Sequence, residues 1–223
     1  MRLKAIAALA ILGYPSHASA LPCGASAHAI KEKPPVPLPM HRLVTRVESI
    51  RIKAPLTIVL ASVAASRLED TIQRQKSLPS VAATKVLTPG AFDYPGARRL
   101  VCLTDGSTLT EQVLEASTTP TESRFRYIVW NYTSATARPV LYGVGEFVRT
   151  ALSKGETNVR WTYAFKMNRT RFPGILGYFG DWLFRWSFLD EDYARMMRAT
   201  LAQGKHSAEQ LAASGHRTEL PAR

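Results

Sequence analysis

The chain has 223 residues, with 29 Lys and Arg against 17 Asp and Glu for a formal charge of +12, which is room for one domain with a sizeable core plus extensions. Beyond the N-terminal residues no apolar run approaches the roughly 20 residues of a membrane-spanning helix. The basic residues are spread along the chain rather than gathered into a block. This argues against nucleic acid as a partner and for solvated surface charge, with a weak attraction to anionic membrane surfaces as the secondary expectation.

Met1–Lys4 is a short basic start, Ala5–Leu12 is apolar, and Ala18-Ser19-Ala20 is a small-residue site. That order predicts a secretory signal peptide over 1–20 and an exported mature chain, periplasmic or secreted, beginning at Leu21. Residues 21–42 contain PPVPLP and read as an extended Pro-rich leader. Export would let Cys23 and Cys102 pair. The position of Cys23 in the leader weighs towards leaving Cys102 as an ordinary packed strand residue.

A domain is expected over 43–203. Val44–Ile52 alternates as a first strand, and Pro55 suits the first position of a helix in which Leu56, Val59, Leu60 and Val63 follow helical spacing. Leu68–Gln75 is long enough for a second short helix. Strand signals return over Val81–Leu87 and Ala97–Leu103, and Asp105-Gly106 turns the chain into Thr108–Ala116. Ser123–Trp130, Val140–Thr150 and Thr157–Lys166 complete six strands after the helices, the last two joined by a polar turn at Gly155. A terminal helix is expected from Pro173 to Gln203, with Leu176, Phe179, Leu183, Trp186, Tyr193, Met197 and Leu201 near one face. From Gly204 to Arg223 the residues turn small and polar, which predicts a flexible tail.

The five histidines are His17, His28, His41, His206 and His216, all outside the expected body of the domain. A histidine-activated nucleophile and a histidine-rich zinc site are therefore excluded as expectations. Gly143-Val144-Gly145 lacks the third glycine and the strand-to-helix setting of a dinucleotide site. No metal and no cofactor is expected.

Carboxylate and phenol remain for acid–base work. Glu111 shares a strand face with Leu109 and Val113, and Glu146 shares one with Tyr142, Val144 and Val148. If those faces point inward, each carboxyl sits among apolar side chains, ready for proton transfer or ligand hydrogen bonding; the alternative is an ion pair with an arginine or a return to water. Trp161, Tyr163 and Phe165 alternate with polar residues on the last strand, as Phe125 and Tyr127 do on an earlier one. They either fill a core or line a pocket.

Asp105-Gly106-Ser107-Thr108-Leu109-Thr110-Glu111-Gln112-Val113, Phe125-Arg126-Tyr127, Gly155 to Phe165 and the helix with Met196 and Met197 together resemble the START-like (SRPBCC) superfamily. The branch they are most similar to is the polyketide cyclase/dehydrase and lipid-transport group. The likeness spans about Val44 to Gln203. It implies an α+β helix-grip fold, a curved antiparallel sheet wrapped around a long C-terminal helix, with a cavity for a small hydrophobic ligand or lipid. Leu109, Val113, Phe125, Tyr127, Tyr142, Val144, Trp161, Tyr163 and Phe165 would line that cavity from the sheet, and Phe179, Leu183 and Trp186 from the helix. The chain departs from many relatives in lacking a tryptophan in the loop after the first helix. Members include carriers and enzymes, so the fold alone does not decide between them. The leading expectation is a carrier that works without covalent catalysis. The rivals are a cyclase or dehydratase using Glu111, Glu146 and Tyr163, and a non-catalytic envelope adaptor.

Overall fold

Each stretch of alternating residues forms a strand, and all seven strands join one antiparallel sheet. The computed structural model, which describes residues 32–72 and 78–218, contains β1 (Val44–Ile52), β2 (Val81–Val86), β3 (Arg98–Leu103), β4 (Thr108–Thr118), β5 (Glu122–Trp130), β6 (Val140–Ser153) and β7 (Glu156–Met167). Their order is β1-β7-β6-β5-β4-β3-β2, a meander from β2 to β7 with β1 returning beside β7. The link between the two edge strands carries α1 (Leu56–Ala65) and α2 (Leu68–Thr71). Gly106 makes the tight β3–β4 turn at φ 82, a left-handed conformation that a side chain would oppose.

The C-terminal helix differs from its expected outline at both ends. It begins after Gly177 as α3 (Tyr178–Phe184), passes through a π-helical stretch (Arg185–Tyr193), and continues as α4 (Ala194–Thr218). Residues 205–218 are thus helical rather than part of a flexible tail. Ala208 is buried and Ala212 packs on the core, in helical spacing with Leu201, and Glu209 accepts the Lys53 backbone N–H at 2.8 Å. Ion pairs hold the helix against β1: Arg46 donates to Asp190 at 3.0 Å and Arg198 to Glu48 at 2.8 Å.

The π-helical stretch also changes which residues face the sheet. In an uninterrupted α-helix Trp186 and Met197 would lie three turns apart on one face. Wider π turns shift that phase. Phe184, Leu189, Met196, Met197 and Leu201 enter the core, whereas Phe179 and Trp186 point to solvent.

On β6 the expected faces are reversed. Gly143, Gly145, Phe147 and Arg149 share the parity of the concave face, because only glycine leaves room there for the neighbouring rings. A Cβ at Gly143 would lie 2.7 Å from the Tyr163 ring, and one at Gly145 would lie 2.2 Å from the Tyr127 ring. Tyr142 and Val144 instead pack on the convex face with Ile128 and Trp130, beneath Met40 and Leu43. The end of the Pro-rich leader is therefore a cover for the sheet, and its Leu38 N–H donates to the Tyr142 hydroxyl at 3.0 Å. Cys102 on β3 is disulfide-bonded, against the expectation of a free packed thiol. The only other cysteine of the chain is Cys23, which lies outside the described residues, as does the whole predicted signal peptide.

Candidate functional site: an interior cavity

The concave face divides into a filled half and an open half. Towards the β7 C-terminus, Tyr163 and Phe165 meet rings from the helix: Tyr163 and Tyr193 have centroids 4.9 Å apart, and Phe165 lies 5.0 Å from Tyr193 and 5.5 Å from Phe184. Helix and sheet close on each other there. Towards the β4–β5 turn the helical side chains shorten to Thr200, Gly204 and Ser207, and a cavity of about 850 Å³ opens beneath them. This size falls within the roughly 300–1,000 Å³ of small-ligand pockets.

The sheet contributes Phe125, Tyr127, Phe147, Arg149, Val159 and Trp161 to the cavity. Phe147 and Trp161 stack at 4.7 Å with their planes 19° apart, forming a flat aromatic wall. Val59 and Ser62 of α1 face it, and Phe92, in the loop before β3, borders the other side at 6.1 Å from the Phe125 ring.

Three of the predicted ligand-binding residues line this space: Phe125, Tyr127 and Trp161. Tyr163 and Phe165 belong to the filled half, Leu109 packs against the same core, and Val113 is buried without reaching the cavity. Tyr142 and Val144 are on the convex face. Phe179 and Trp186 are exposed, and Leu183, half-buried, is likewise outside the cavity. Phe147, Arg149 and Arg99 were not anticipated. The signal was present in Gly143 and Gly145, whose parity along β6 points to Phe147 and Arg149.

The three acid–base candidates do not converge. Glu111 does line the cavity, but its carboxylate accepts from Arg99 directly across the β3–β4 ladder at 2.6 Å. Glu146 lies on the convex side of the sheet, where it accepts from Arg124 at 2.8 Å. Burial drives the Tyr163 hydroxyl well above the ordinary phenol range, and the neighbouring tyrosines add to the rise. Tyr127 is also pushed far up by burial, then by the Glu111 charge. The indole N–H of Trp161 lies near enough to Tyr127 to offset a little of that rise, without reaching hydrogen-bond geometry. These phenols are neutral donors at physiological pH, not bases.

Two solved structures share the arrangement. The Zhui aromatase/cyclase from Streptomyces sp. R1128 matches with a TM-score of 0.52 and 14% identity, over 74% of this chain and 93% of its own. Ara h 8.0201 matches with a TM-score of 0.52 and 10% identity, over 74% of this chain and 96% of its own. The chain has the helix-grip fold. No protein-family model matches it, and no curated protein does so by sequence. At these identities the helix-grip likeness concerns the backbone scaffold. The contents of the cavity are this chain's own.

Proposed function

We propose that this protein is exported and carries a small hydrophobic ligand or lipid in the interior cavity without covalent chemistry. The observation that carries the reading is the roughly 850 Å³ space between the Phe147–Trp161 wall and α1, on a scaffold shared with an aromatase/cyclase. Apolar ligand surface buried there would contribute about 25 cal/mol per Å² before ordering costs. A cyclase or dehydratase would need acid and base groups meeting at the cavity. The engagement of Glu111 by Arg99 and the placement of Glu146 on the convex face favour the carrier instead. A purely structural adaptor would have filled the space. Native mass spectrometry of protein isolated from its producing cell is expected to show a retained apolar molecule; turnover of a bound polyketide that is lost in Glu111→Gln would favour the enzyme.

Export is supported by the Ala18-Ser19-Ala20 site and by the disulfide at Cys102, since such bonds persist in oxidising compartments. The exported form is expected to begin at Leu21 on N-terminal sequencing. A retained Met1 would rule out cleavage.

Delivery at a membrane surface is favoured by an exposed aromatic strip. Among the described residues no helix is long and apolar enough to cross a membrane, yet Tyr178 is 92% exposed, Phe179 61%, Trp182 56% and Trp186 64%. Phe179 stacks on Trp182 at 5.5 Å, and Trp182 on Trp186 at 6.2 Å. Tryptophan and tyrosine favour the headgroup region, and the basic charge of the chain favours anionic lipid. Phosphatidylglycerol vesicles are expected to blue-shift the tryptophan emission. Replacing Trp182 and Trp186 together by alanine should weaken vesicle binding at least about tenfold with little change in stability, because exposed groups contribute little to the core. Unchanged vesicle binding in that variant would remove the strip from the reading.

A further inference from the structure

Among the described residues, Arg149 is the one cavity arginine without an acidic partner. It lies on β6, 6% exposed, and lines the open half of the concave face. Its guanidinium carbon sits 5.0 Å from the Phe147 ring centroid, and among the described residues no carboxylate forms an ion pair with it. Arg99, the other interior guanidinium, is held by Glu111. Arg124 turns to Glu146 and Glu122. Arg67, Asp70 and Asp93 lie at the exposed rim of the cavity.

Burying an unpaired charge costs several kcal/mol, and the molecule bears this cost beside empty volume. Burial pushes the Arg149 guanidinium down to about 10, which leaves it charged at neutral pH. Directly opposite in the β5–β6 ladder stands Ser123, also buried and also lining the cavity. The Ser123 hydroxyl accepts from Thr118 at 3.2 Å, so its own proton remains available to donate. A planar guanidinium fork and a hydroxyl donor at the end of an aromatic-walled cavity match an oxyanion attached to an apolar body.

We propose that Arg149 and Ser123 form a head-group subsite, so that the ligand is an amphiphile bearing one oxyanionic group, a carboxylate or a phosphate monoester. This rests on the carrier reading and names its ligand class. Chain length and ring content are set by the Phe147–Trp161 wall and α1, while Arg149 selects the acid over the neutral analogue.

The test compares cis-parinaric acid with its methyl ester by fluorescence titration of the full exported chain. The intact protein is expected to bind the acid at least about tenfold more tightly than the ester, the range of a charge-assisted hydrogen bond. In Arg149→Met the acid-over-ester preference should vanish while the thermal midpoint is not lowered, since an apolar replacement relieves an uncompensated charge. Arg149→Lys should restore part of the preference, and it serves as the second variant if the methionine protein does not fold. Hexadecanoate and hexadecyl phosphate are to be compared as competitors with hexadecanol; the stronger acid competitor identifies the oxyanion. Equal wild-type affinity for acid and ester, an acid preference that survives in Arg149→Met, or equal displacement by hexadecanol would overturn the subsite while leaving the carrier intact. Failure of both probes to bind would remove the carrier reading and the subsite together.

Discussion

A Ser62→Phe protein is expected to lose uptake of hydrophobic probes by about tenfold or more while remaining folded. Ser62 is buried on α1 and faces the cavity across from the aromatic wall, so the new ring has open volume to enter. Displacing roughly 60–100 Å² of ligand contact at about 25 cal/mol per Å² removes about 1.5–2.5 kcal/mol, a tenfold or larger loss in affinity. In a filled core the same ring would instead cost about 1–3 kcal/mol of stability through overpacking. Titration with methyl parinarate and denaturant unfolding, measured on the same variant, separate the two cases. Unchanged uptake would mean that the ligand does not occupy this space.

Gly145→Val is expected to destabilise the domain by about 3 kcal/mol or more, the upper end of what overpacking costs. Its Cβ would lie 2.2 Å from Tyr127 Cζ and 2.4 Å from its hydroxyl oxygen. The Tyr127 ring has little freedom to yield, with Phe125 at 5.8 Å, Tyr163 at 6.2 Å and Phe147 at 6.4 Å. By contrast a Cβ at Gly155 meets nothing within 4 Å, so Gly155→Ala should change stability by no more than about 0.5 kcal/mol. Combining Gly145→Val with Tyr127→Ala should recover part of the loss, which a double-mutant cycle in urea would measure. A Gly145→Val protein as stable as the parent would mean that β6 presents its other face to the core.

The strand boundaries were legible because alternation is a local property. Val44–Ile52 matches its expected limits, and the last strand differs by one residue at each end. Inner-face aromatics were legible on β5 and β7 for the same reason: Phe125, Tyr127 and Trp161 follow one parity and meet at the cavity. On β6 the same rule misled. Tyr142 and Val144 looked like core residues and are core residues, but of the second cluster beneath Met40 and Leu43. Hydrophobicity marks a buried face without saying which layer buries it.

The helix shows the same limit in another form. A 3.6-residue count across Phe179, Trp186 and Met197 assumes unbroken α-helical phase, and Arg185–Tyr193 breaks it. For Glu111 and Glu146 the structure shows the arginine ion pairs that the sequence left open beside acid–base work. Residues such as Glu111 and Arg99, or Glu146 and Arg124, become partners through strand register, which no single strand encodes.

By itself the sequence determined the seven strands, their antiparallel linkage and the presence of a terminal helix, because each follows from residue type and spacing along the chain. Only the tertiary structure decided that Gly143 and Gly145 turn β6 so that Phe147 and Arg149 face inward, that the end of the leader around Leu38 and Met40 covers the convex sheet, and that the cavity opens where the α4 side chains shorten to Thr200, Gly204 and Ser207. Those outcomes depend on which distant side chains compete for the same volume. That competition exists only once the sheet has closed around the helix.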